Sequence, residues 1–333
     1  MSGGVTSASE VPLLRAEGLT RAFAGRGGLF RRSRPVVAVR GVNVTLHRGE
    51  ALGVVGESGC GKSTLGRLLL HLMPATEGRV LFEGADLATL SGAERRALRR
   101  RMQMVFQDPY GSLDPRRSIG AQIADGLLIH GLADAAEAER QTAALLRQVG
   151  LEASHATRLP HEFSGGQRQR IAIARALATK PDFIVADEPV SALDVSIQAQ
   201  IVNLLADLRQ QLGLALLFIS HDLHVVRHLC DRVMVMYLGR VVEEGPAAAI
   251  FHNPSHPYTR ALLAATPSMH HRAKTAPLPG EVPSVANPPS GCVFRTRCPA
   301  ARPACAEAMP PLETHPNHPE RQIACWRAAE IDA

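Results

Sequence analysis

A glycine-rich segment at residues 56–63 carries the clearest chemical signal in the sequence. The pattern G-x-x-x-x-G-K-[ST] is matched by Gly56-Glu57-Ser58-Gly59-Cys60-Gly61-Lys62-Ser63. The segment follows a strand-like apolar run at 51–55 and precedes a helical pattern, which is the context that this motif requires. Its glycines let backbone N–H groups converge on phosphate oxygens, and a helix N-terminus favours an anion. The segment therefore predicts a loop that binds nucleotide phosphates.

The polar side chains of this loop have distinct predicted roles. Lys62 is expected to contact the β- and γ-phosphates. Ser63, with Thr64 beside it, is expected to supply a hydroxyl to Mg²⁺. Cys60 has two interpretations: it is a small filler residue, or it is a reactive thiol whose pKa is lowered near a helix N-terminus.

Two acids follow a second apolar run, at residues 183–186. Asp187 stands at the carboxyl end of this predicted strand, where it can reach Mg²⁺ through water. Glu188 can polarise an attacking water as a general base. The pair therefore favours hydrolysis of the bound nucleotide.

A helix start lies between the loop and the two acids. It consists of Ser164, Gly165, Gly166 and Gln167. Ser164 can cap the helix that follows, and the glycines leave backbone amides uncovered. Taken alone, this segment indicates no more than a helix that begins after a loop.

The elements around these motifs alternate between strands and helices. The predicted strands are 51–55, 183–186, 214–219 and 232–237. The predicted helices are 64–73, 91–104 and 195–212, and residues 112–180 are mostly helical. This alternation predicts an α/β fold with a largely parallel sheet.

Composition excludes several classes of protein. Of the 333 residues, 45% are apolar, which excludes global disorder. The longest apolar runs stop far short of the roughly 18–20 residues that span a membrane. No signal-peptide pattern is visible, so a cytoplasmic location is expected.

The net charge is +6, with a cluster at Arg31, Arg32 and Arg34. This cluster indicates a solvated loop or a face for nucleic acid or anionic lipid, and the 4% aromatic content gives base stacking little support.

Four of the six cysteines fall within the last 42 residues, in a segment from 266 onward that is rich in Pro and His. They are Cys292, Cys298, Cys305 and Cys325. The spacing C-x5-C-x6-C-x19-C lacks the C-x2-C pairs usual for structural zinc. Spacing alone indicates four thiolates for a soft metal. A zinc site and four thiols without a metal remain as alternative interpretations.

Together these motifs resemble the ATP-binding-cassette (ABC) ATPases over residues 10–265. The further matching motifs are the Q-loop Phe106-Gln107-Asp108, the signature at 164–167, the D-loop Ser191-Ala192-Leu193-Asp194 and the switch histidine His221. The resemblance implies an α/β, ABC-type P-loop NTPase with a RecA-like core sheet. It also implies an antiparallel β subdomain and an α-helical signature subdomain at about 112–180, followed by a Cys- and Pro-rich extension at 266–333.

The resemblance also implies a mechanism. Two cassettes close head to tail around two ATP molecules, so that Lys62 and Glu188 of one face Ser164 and Gly166 of the other. ATP closes the pair, and hydrolysis with product release reopens it.

The same resemblance implies roles for further side chains. Gln107 contacts Mg²⁺ and links the nucleotide site to a membrane partner, and His221 holds the γ-phosphate and the attacking water. Phe23 is the candidate for stacking on adenine. The Arg-rich insertion at 24–35 leaves Phe30 as an alternative.

A closer resemblance is to the ATPase subunits of dipeptide and oligopeptide importers. It rests on residues 109–115, 219–223, 236–240, 256–259 and 287–292. It implies a paralogous D-type ATPase partner in a heterodimer, two transmembrane permease subunits and an extracytoplasmic binding protein. It also implies a peripheral location on the cytoplasmic face of the inner membrane, no nucleic-acid partner, and a [4Fe-4S] cluster on Cys292, Cys298, Cys305 and Cys325.

Other functions compete with peptide import. The cargo could be haem, a nickel chelate or glutathione, and a homodimer is the alternative to the heterodimer. A soluble ABC ATPase acting on ribosomes or DNA is disfavoured, because the chain has one cassette and no long coiled coil. A metal-binding protein in which ATP is secondary is disfavoured by the complete motif set.

Overall fold

The computed structural model describes residues 11–24, 35–265 and 281–331. The strands within these ranges are β1 Leu14–Phe23, β2 Val36–Leu46, β3 Ala51–Val55, β4 Glu77–Phe82, β5 Ala85–Asp86, β6 Met102–Val105, β7 Phe183–Asp187, β8 Ala215–Ile219, β9 Arg232–Tyr237, β10 Arg240–Pro246, β11 Glu313–His315 and β12 His318–Ile323. The helices are α1 Lys62–Leu69, α2 Gly92–Arg101, α3 Pro109–Ser112, α4 Ile119–Ile129, α5 Ala135–Gln148, α6 Gly165–Leu177, α7 Val195–Leu212, α8 Leu223–Leu229, α9 Ala247–His252, α10 Pro257–Ala264 and α11 Ala328–Ile331.

The larger sheet has eight strands in the order β11-β12-β10-β9-β3-β8-β7-β6. Strands β9, β3, β8, β7 and β6 run parallel to one another, whereas β10 pairs antiparallel with β9. Every residue of β3, β7 and β8 is buried, because helices cover both faces of a parallel sheet. These strands are therefore continuous apolar runs in the sequence. Their carboxyl ends lie along one edge of the sheet, which positions the loops that follow them.

A second, antiparallel sheet has the order β2-β1-β4-β5. Phe23 at the end of β1 pairs with Val36 at the start of β2, so the insertion at 24–35 connects these two strands. The cluster Arg31, Arg32 and Arg34, and the alternative aromatic residue Phe30, lie outside the described residues. With helices α4, α5 and α6, the two sheets supply the three parts that the resemblance implied.

Two predicted helices were wrong in part, and the first, expected over 64–73, ends at Leu69 as α1. The helix expected over 91–104 ends at Arg101 as α2, and the following four residues form β6. Met102, Met104 and Val105 are buried against the core sheet, where β6 pairs in parallel with β7. Burial in a sheet therefore overrides the helical pattern of the preceding arginines. The strand at 51–55 and the helix at 195–212 are confirmed as β3 and α7.

The segment from 281 onward contributes to the core sheet. Strand β12 pairs antiparallel with β10, with Glu243 opposite Ile323, and β11 pairs with β12. The composition change near residue 265 suggested a separate extension, but two strands of this segment complete the edge of the sheet. Among the described ranges, no helix is long and apolar enough to cross a membrane.

Candidate nucleotide-binding and catalytic site

The phosphate loop connects β3 to α1 and surrounds its own lysine. Lys62 is 4% exposed. Its Nζ donates hydrogen bonds to the carbonyl oxygens of Gly56 at 2.7 Å and Glu57 at 3.1 Å. The loop carbonyls therefore hold the ammonium group inside the loop, where it can meet a bound phosphate.

Two glycines allow the loop to pack against neighbouring backbone. A Cβ at Gly56 would lie 2.2 Å from the carbonyl oxygen of Met236 in β9. A Cβ at Gly61, where φ is +108°, would lie 2.2 Å from the carbonyl oxygen of Ala38 in β2. Neither position has room for a side chain, so these glycines are required by packing as well as by conformation.

Cys60 behaves as the filler residue. Its side chain is 4% exposed, and burial raises the pKa of the thiol. The alternative expectation of a reactive thiol with a lowered pKa does not agree with this environment. Desolvation outweighs the favourable charge of Lys62 and the helix N-terminus.

Ser63 and Asp187 form a pair of oxygen groups at the edge of the sheet. The Ser63 hydroxyl donates a hydrogen bond of 2.8 Å to Asp187 Oδ1. Asp187 is 3% exposed, and burial raises the pKa of its carboxyl, partly offset by this hydrogen bond. Hydroxyl and carboxylate oxygens are ligands that Mg²⁺ accepts, so the pair could hold this ion.

Asp187→Asn is expected to raise the melting temperature while it lowers ATP turnover. A carboxyl group that is harder to ionise in the folded state lowers the free energy of unfolding at neutral pH. The isosteric amide removes this cost and still accepts the Ser63 hydrogen bond. Thermal melts without Mg²⁺ or nucleotide test the prediction, with exposed Asp207→Asn as the control. A lower melting temperature for Asp187→Asn than for the wild type would contradict it.

The side chains of Gln107 and His221, each from an adjacent strand end, meet at Glu188. Gln107 follows β6, and its Nε2 donates a hydrogen bond of 3.1 Å to Glu188 Oε2. His221 follows β8, and its Nδ1 lies 3.3 Å from the same oxygen. The structure therefore brings together the three residues that the sequence predicted separately.

The backbone of Glu188 has a φ of +45°, which is uncommon for a residue with a side chain. Its amide donates to the carbonyl oxygen of Ile219 in β8, which fixes this turn. Strained positions of this kind cluster at functional sites. The turn directs the carboxylate to the strand edge, where it contacts Gln107 and His221.

The signature residues begin α6. Ser164 Oγ accepts the backbone N–H of Gln167 at 3.3 Å, and Gln167 Oε1 accepts the N–H of Ser164 at 3.0 Å. A Cβ at Gly166 would lie 2.5 Å from Cγ2 of Ile197 in α7. Within the part of the chain that the structure describes, no hydrogen bond joins these residues to the phosphate loop. The two halves expected of an ATP site thus have no direct hydrogen bond between them in the described residues.

Comparisons with known proteins agree with this geometry. The family model "ABC transporter" matches residues 39–191, and the model "Oligopeptide/dipeptide transporter, C-terminal region" matches residues 242–305. The oligopeptide transport ATP-binding protein AppF of Bacillus subtilis is 50% identical over 321 residues, 94% of this chain and 98% of that protein. The dipeptide transport ATP-binding protein DppF of Haemophilus influenzae is 50% identical over 318 residues, 95% of this chain and 96% of its own length.

The chain belongs to the ABC transporter ATP-binding proteins. As a member of that family it is an ATPase that uses Mg²⁺ and ATP. Among solved structures, a dimeric ATP-binding cassette, MJ0796 with ADP and phosphate, is 30% identical with a TM-score of 0.63. It covers 70% of this chain and 98% of its own. The ABC cassette fold is therefore confirmed.

Phe23 lies at the end of β1 in this ABC protein and is 37% exposed. The guanidinium carbon of Arg21 lies 4.9 Å from the centre of its ring. The ring is accessible from solvent, so adenine stacking stays a prediction.

The four cysteines of the C-terminal segment line one small pocket of about 20 Å³. Burial raises the pKa of Cys292 and Cys298, and raises that of Cys325 to about 11. In the ranges that the structure describes, no group of three or more His, Cys, Asp or Glu side chains has a geometry that could hold a metal ion. The four thiols therefore share one pocket as free cysteines.

Sequence reasoning missed the residues that support the phosphate loop from the C-terminal side. Arg297 forms an ion pair with Glu57, and the Tyr258 hydroxyl accepts the backbone N–H of Glu57 at 2.8 Å. Tyr258 lies in a segment that carries the importer resemblance, but no local pattern links Arg297 to a loop 240 residues earlier.

Proposed function

We propose that this ATPase powers import of dipeptides or oligopeptides through a membrane permease. The match to the MJ0796 cassette does not indicate which cargo is transported, because it covers only 70% of this chain. The observation that carries the proposal is the 50% identity to AppF and DppF, which extends through the C-terminal region. The separate match of residues 242–305 to the oligopeptide/dipeptide transporter region supports it.

We propose roles for the side chains at the nucleotide site. Backbone amides of residues 56–64 and the ammonium of Lys62 bind the phosphates, as expected of this loop. Mg²⁺ is held by oxygens of Ser63, Gln107 and, through water, Asp187. Support comes from the Ser63–Asp187 hydrogen bond of 2.8 Å and from the contact of Gln107 with the neighbouring Glu188 at 3.1 Å. Glu188 takes the proton of the attacking water, since its carboxylate lies at the strand edge in contact with Gln107 and His221, whereas Asp187 is bonded to Ser63.

His221 completes this arrangement by holding the γ-phosphate and the attacking water. Its side chain is 59% exposed, whereas that of Glu188 is 16% exposed. The open imidazole is free to move toward a nucleotide while it keeps its contact with Glu188. Phe23 is proposed to stack on the adenine ring.

The proposed working unit is a heterodimer with a paralogous D-type ATPase subunit. Ser164 bonds to Gln167 and Lys62 bonds to its own loop, with no hydrogen bond between the two groups in the described residues, which agrees with sites that are completed by a second cassette. ATP binding would bring the two cassettes together, and hydrolysis would release them.

Two permease subunits are the proposed membrane partners, with an extracytoplasmic binding protein that delivers the peptide. A groove of about 530 Å³ beside the Q-loop is lined by Leu72, Phe106, Arg117 and Asp125. Leu72 is 50% exposed and Phe106 is 38% exposed, which suits an amphipathic helix of the permease. This contact would hold the chain on the cytoplasmic face of the inner membrane.

Uptake of a labelled dipeptide and a labelled oligopeptide tests the cargo. Cells that lack this chain are complemented with the wild type, with Glu188→Gln or with an empty vector. Loss of uptake that only the wild type restores is the expected result. Unchanged uptake of both peptides in the deletion strain, with intact ATPase activity of the purified chain, would contradict the proposed cargo but not the enzyme activity.

We further propose that Cys292, Cys298, Cys305 and Cys325 hold a [4Fe-4S] cluster. The support is their convergence on one pocket and a donor set made of thiols. Bound iron would stabilise the thiolate forms that burial disfavours. Anaerobically purified protein is expected to contain iron and acid-labile sulfide in equal amounts, which Cys298→Ser loses and Cys230→Ser keeps. Zinc in their place, or no metal, would contradict the cluster.

A further inference from the structure

The phosphate loop has an ion pair with the C-terminal segment that the ATPase chemistry does not use. Arg297 Nη1 donates to Glu57 Oε2 at 2.8 Å, and Arg297 Nη2 donates to Glu57 Oε1 at 3.0 Å. The Arg297 side chain is 6% exposed. Paired, parallel hydrogen bonds between a guanidinium and a carboxylate are among the strongest polar contacts in proteins. Glu57 is the second residue of the loop, so this contact acts on the loop itself.

Aromatic side chains hold the arginine in place. The Tyr237 hydroxyl lies 3.3 Å from Arg297 Nη1. The rings of Tyr237, Tyr258 and Phe294 form a buried cluster with centroid separations of 4.6, 5.3 and 5.4 Å. The backbone N–H of Arg297 donates to the carbonyl oxygen of Phe294 at 3.0 Å, which ties the arginine to this cluster. Contacts other than the ion pair with Glu57 therefore also hold the Arg297 guanidinium in position.

Glu57 connects this support to the catalytic lysine. Its carboxylate binds Arg297, its N–H donates to the Tyr258 hydroxyl, and its carbonyl oxygen accepts from Lys62 Nζ. All three polar groups of one loop residue are thus engaged. A substitution at Arg297 would therefore alter the position of Glu57 and, through it, the position of Lys62.

The negative charge of Glu57 gives a second reason why its ion pair with Arg297 matters for ATP binding. ATP brings several negative charges to a loop that contains a carboxylate at Glu57. With Arg297 in place, this carboxylate is neutralised and directed toward the C-terminal segment. Without the guanidinium, an unpaired carboxylate would remain close to the phosphates and repel them.

We propose that Arg297 is a positioning residue for ATP binding. Through Glu57 it fixes the shape of the phosphate loop and removes a repulsive charge, so that ATP affinity depends on the C-terminal segment. The inference rests on ATP binding at residues 56–64 and is independent of the cargo. Arg297 touches neither the nucleotide nor the attacking water, so its loss should affect affinity much more than the rate at saturation.

The test is the dissociation constant for ATP, measured by calorimetry on the purified full chain, together with KM and kcat. Arg297→Ala is expected to weaken ATP about tenfold, equivalent to about 1.4 kcal/mol, with kcat nearly unchanged. Arg297→Lys keeps the charge without the paired donors and should fall between alanine and the wild type. Arg295→Ala is the matched control, because Arg295 is bonded to Ser290 and not to the loop.

The double variant Glu57→Gln/Arg297→Ala separates positioning from a general loss of folding. Removing the carboxylate removes the repulsion, so the double variant should bind ATP more tightly than Arg297→Ala alone. Wild-type affinity in Arg297→Ala would overturn the proposal. The proposal would also be overturned if the loss of ATP affinity in the double variant equalled the sum of the losses in Glu57→Gln and Arg297→Ala. A wild type that binds no ATP would instead refute the nucleotide site itself.

Discussion

Replacing Glu188 with glutamine is expected to lower ATP turnover by about 10²–10⁴-fold, the usual contribution of a general base. The amide has the same shape but cannot accept the proton of the attacking water. It can still accept the hydrogen bond from Gln107, so the site should keep its geometry. ATP binding should therefore persist, and the bound but unhydrolysed nucleotide should hold two cassettes closed. Turnover and the dissociation constant for ATP are the measurements.

The matched control for this variant is Glu137→Gln, in the first turn of α5. Glu137 lies on an exposed face and contacts Arg140, so the same change of charge there should leave turnover unaltered. Size-exclusion chromatography in the presence of ATP should show the Glu188→Gln chain in a dimer. Wild-type turnover in Glu188→Gln would show that another group activates the water.

Gly61→Ala is expected to reduce ATP affinity by roughly 10²–10³-fold, because it combines backbone strain with steric overlap. The φ of +108° disfavours any side chain, and the new Cβ would lie 2.2 Å from the carbonyl oxygen of Ala38. Either β2 or the loop must then move. A shift of the loop would displace the amides that bind phosphate and the adjacent Lys62.

Gly59→Ala provides the comparison within the same loop. Its φ is +76°, but a Cβ there meets no atom within 4 Å. This variant should suffer only the conformational cost of about 1–2 kcal/mol for a left-handed residue. Melting curves and calorimetry on both variants test the difference. Equal effects of the two substitutions would show that steric overlap with β2 does not control the loop.

The positions of the candidate site residues could be predicted from the sequence because their signals are local. Strands β3 and β7 are short, continuous apolar runs, and the residues that follow them carry the chemistry. The parallel order of β3, β8, β7 and β6 then brings Lys62, Glu188, His221 and Gln107 to one edge. Each motif is thus positioned by the strand immediately before it.

Other features depend on contacts between distant residues and could not be predicted. Strand β6 continues a basic helical pattern, and only its burial beside β7 makes it a strand. The pairing of β12 with β10 is invisible in a segment whose composition is rich in Pro and Cys. The cysteine spacing likewise does not reveal that the four thiols share one pocket. Long-range packing decides all three.

The ion pair between Glu57 and Arg297 has a consequence for the order of events during synthesis. The two residues are 240 positions apart, and the phosphate loop is made first. At about 5–20 residues per second, translation separates their appearance by roughly 12 to 48 s. During this interval the loop exists without the residue that fixes it, so nascent chains should bind nucleotide weakly. Nucleotide binding by ribosome-bound chains stalled before and after Arg297 emerges would measure this delay. The enzyme would then acquire its affinity for ATP only after Arg297 has emerged from the ribosome.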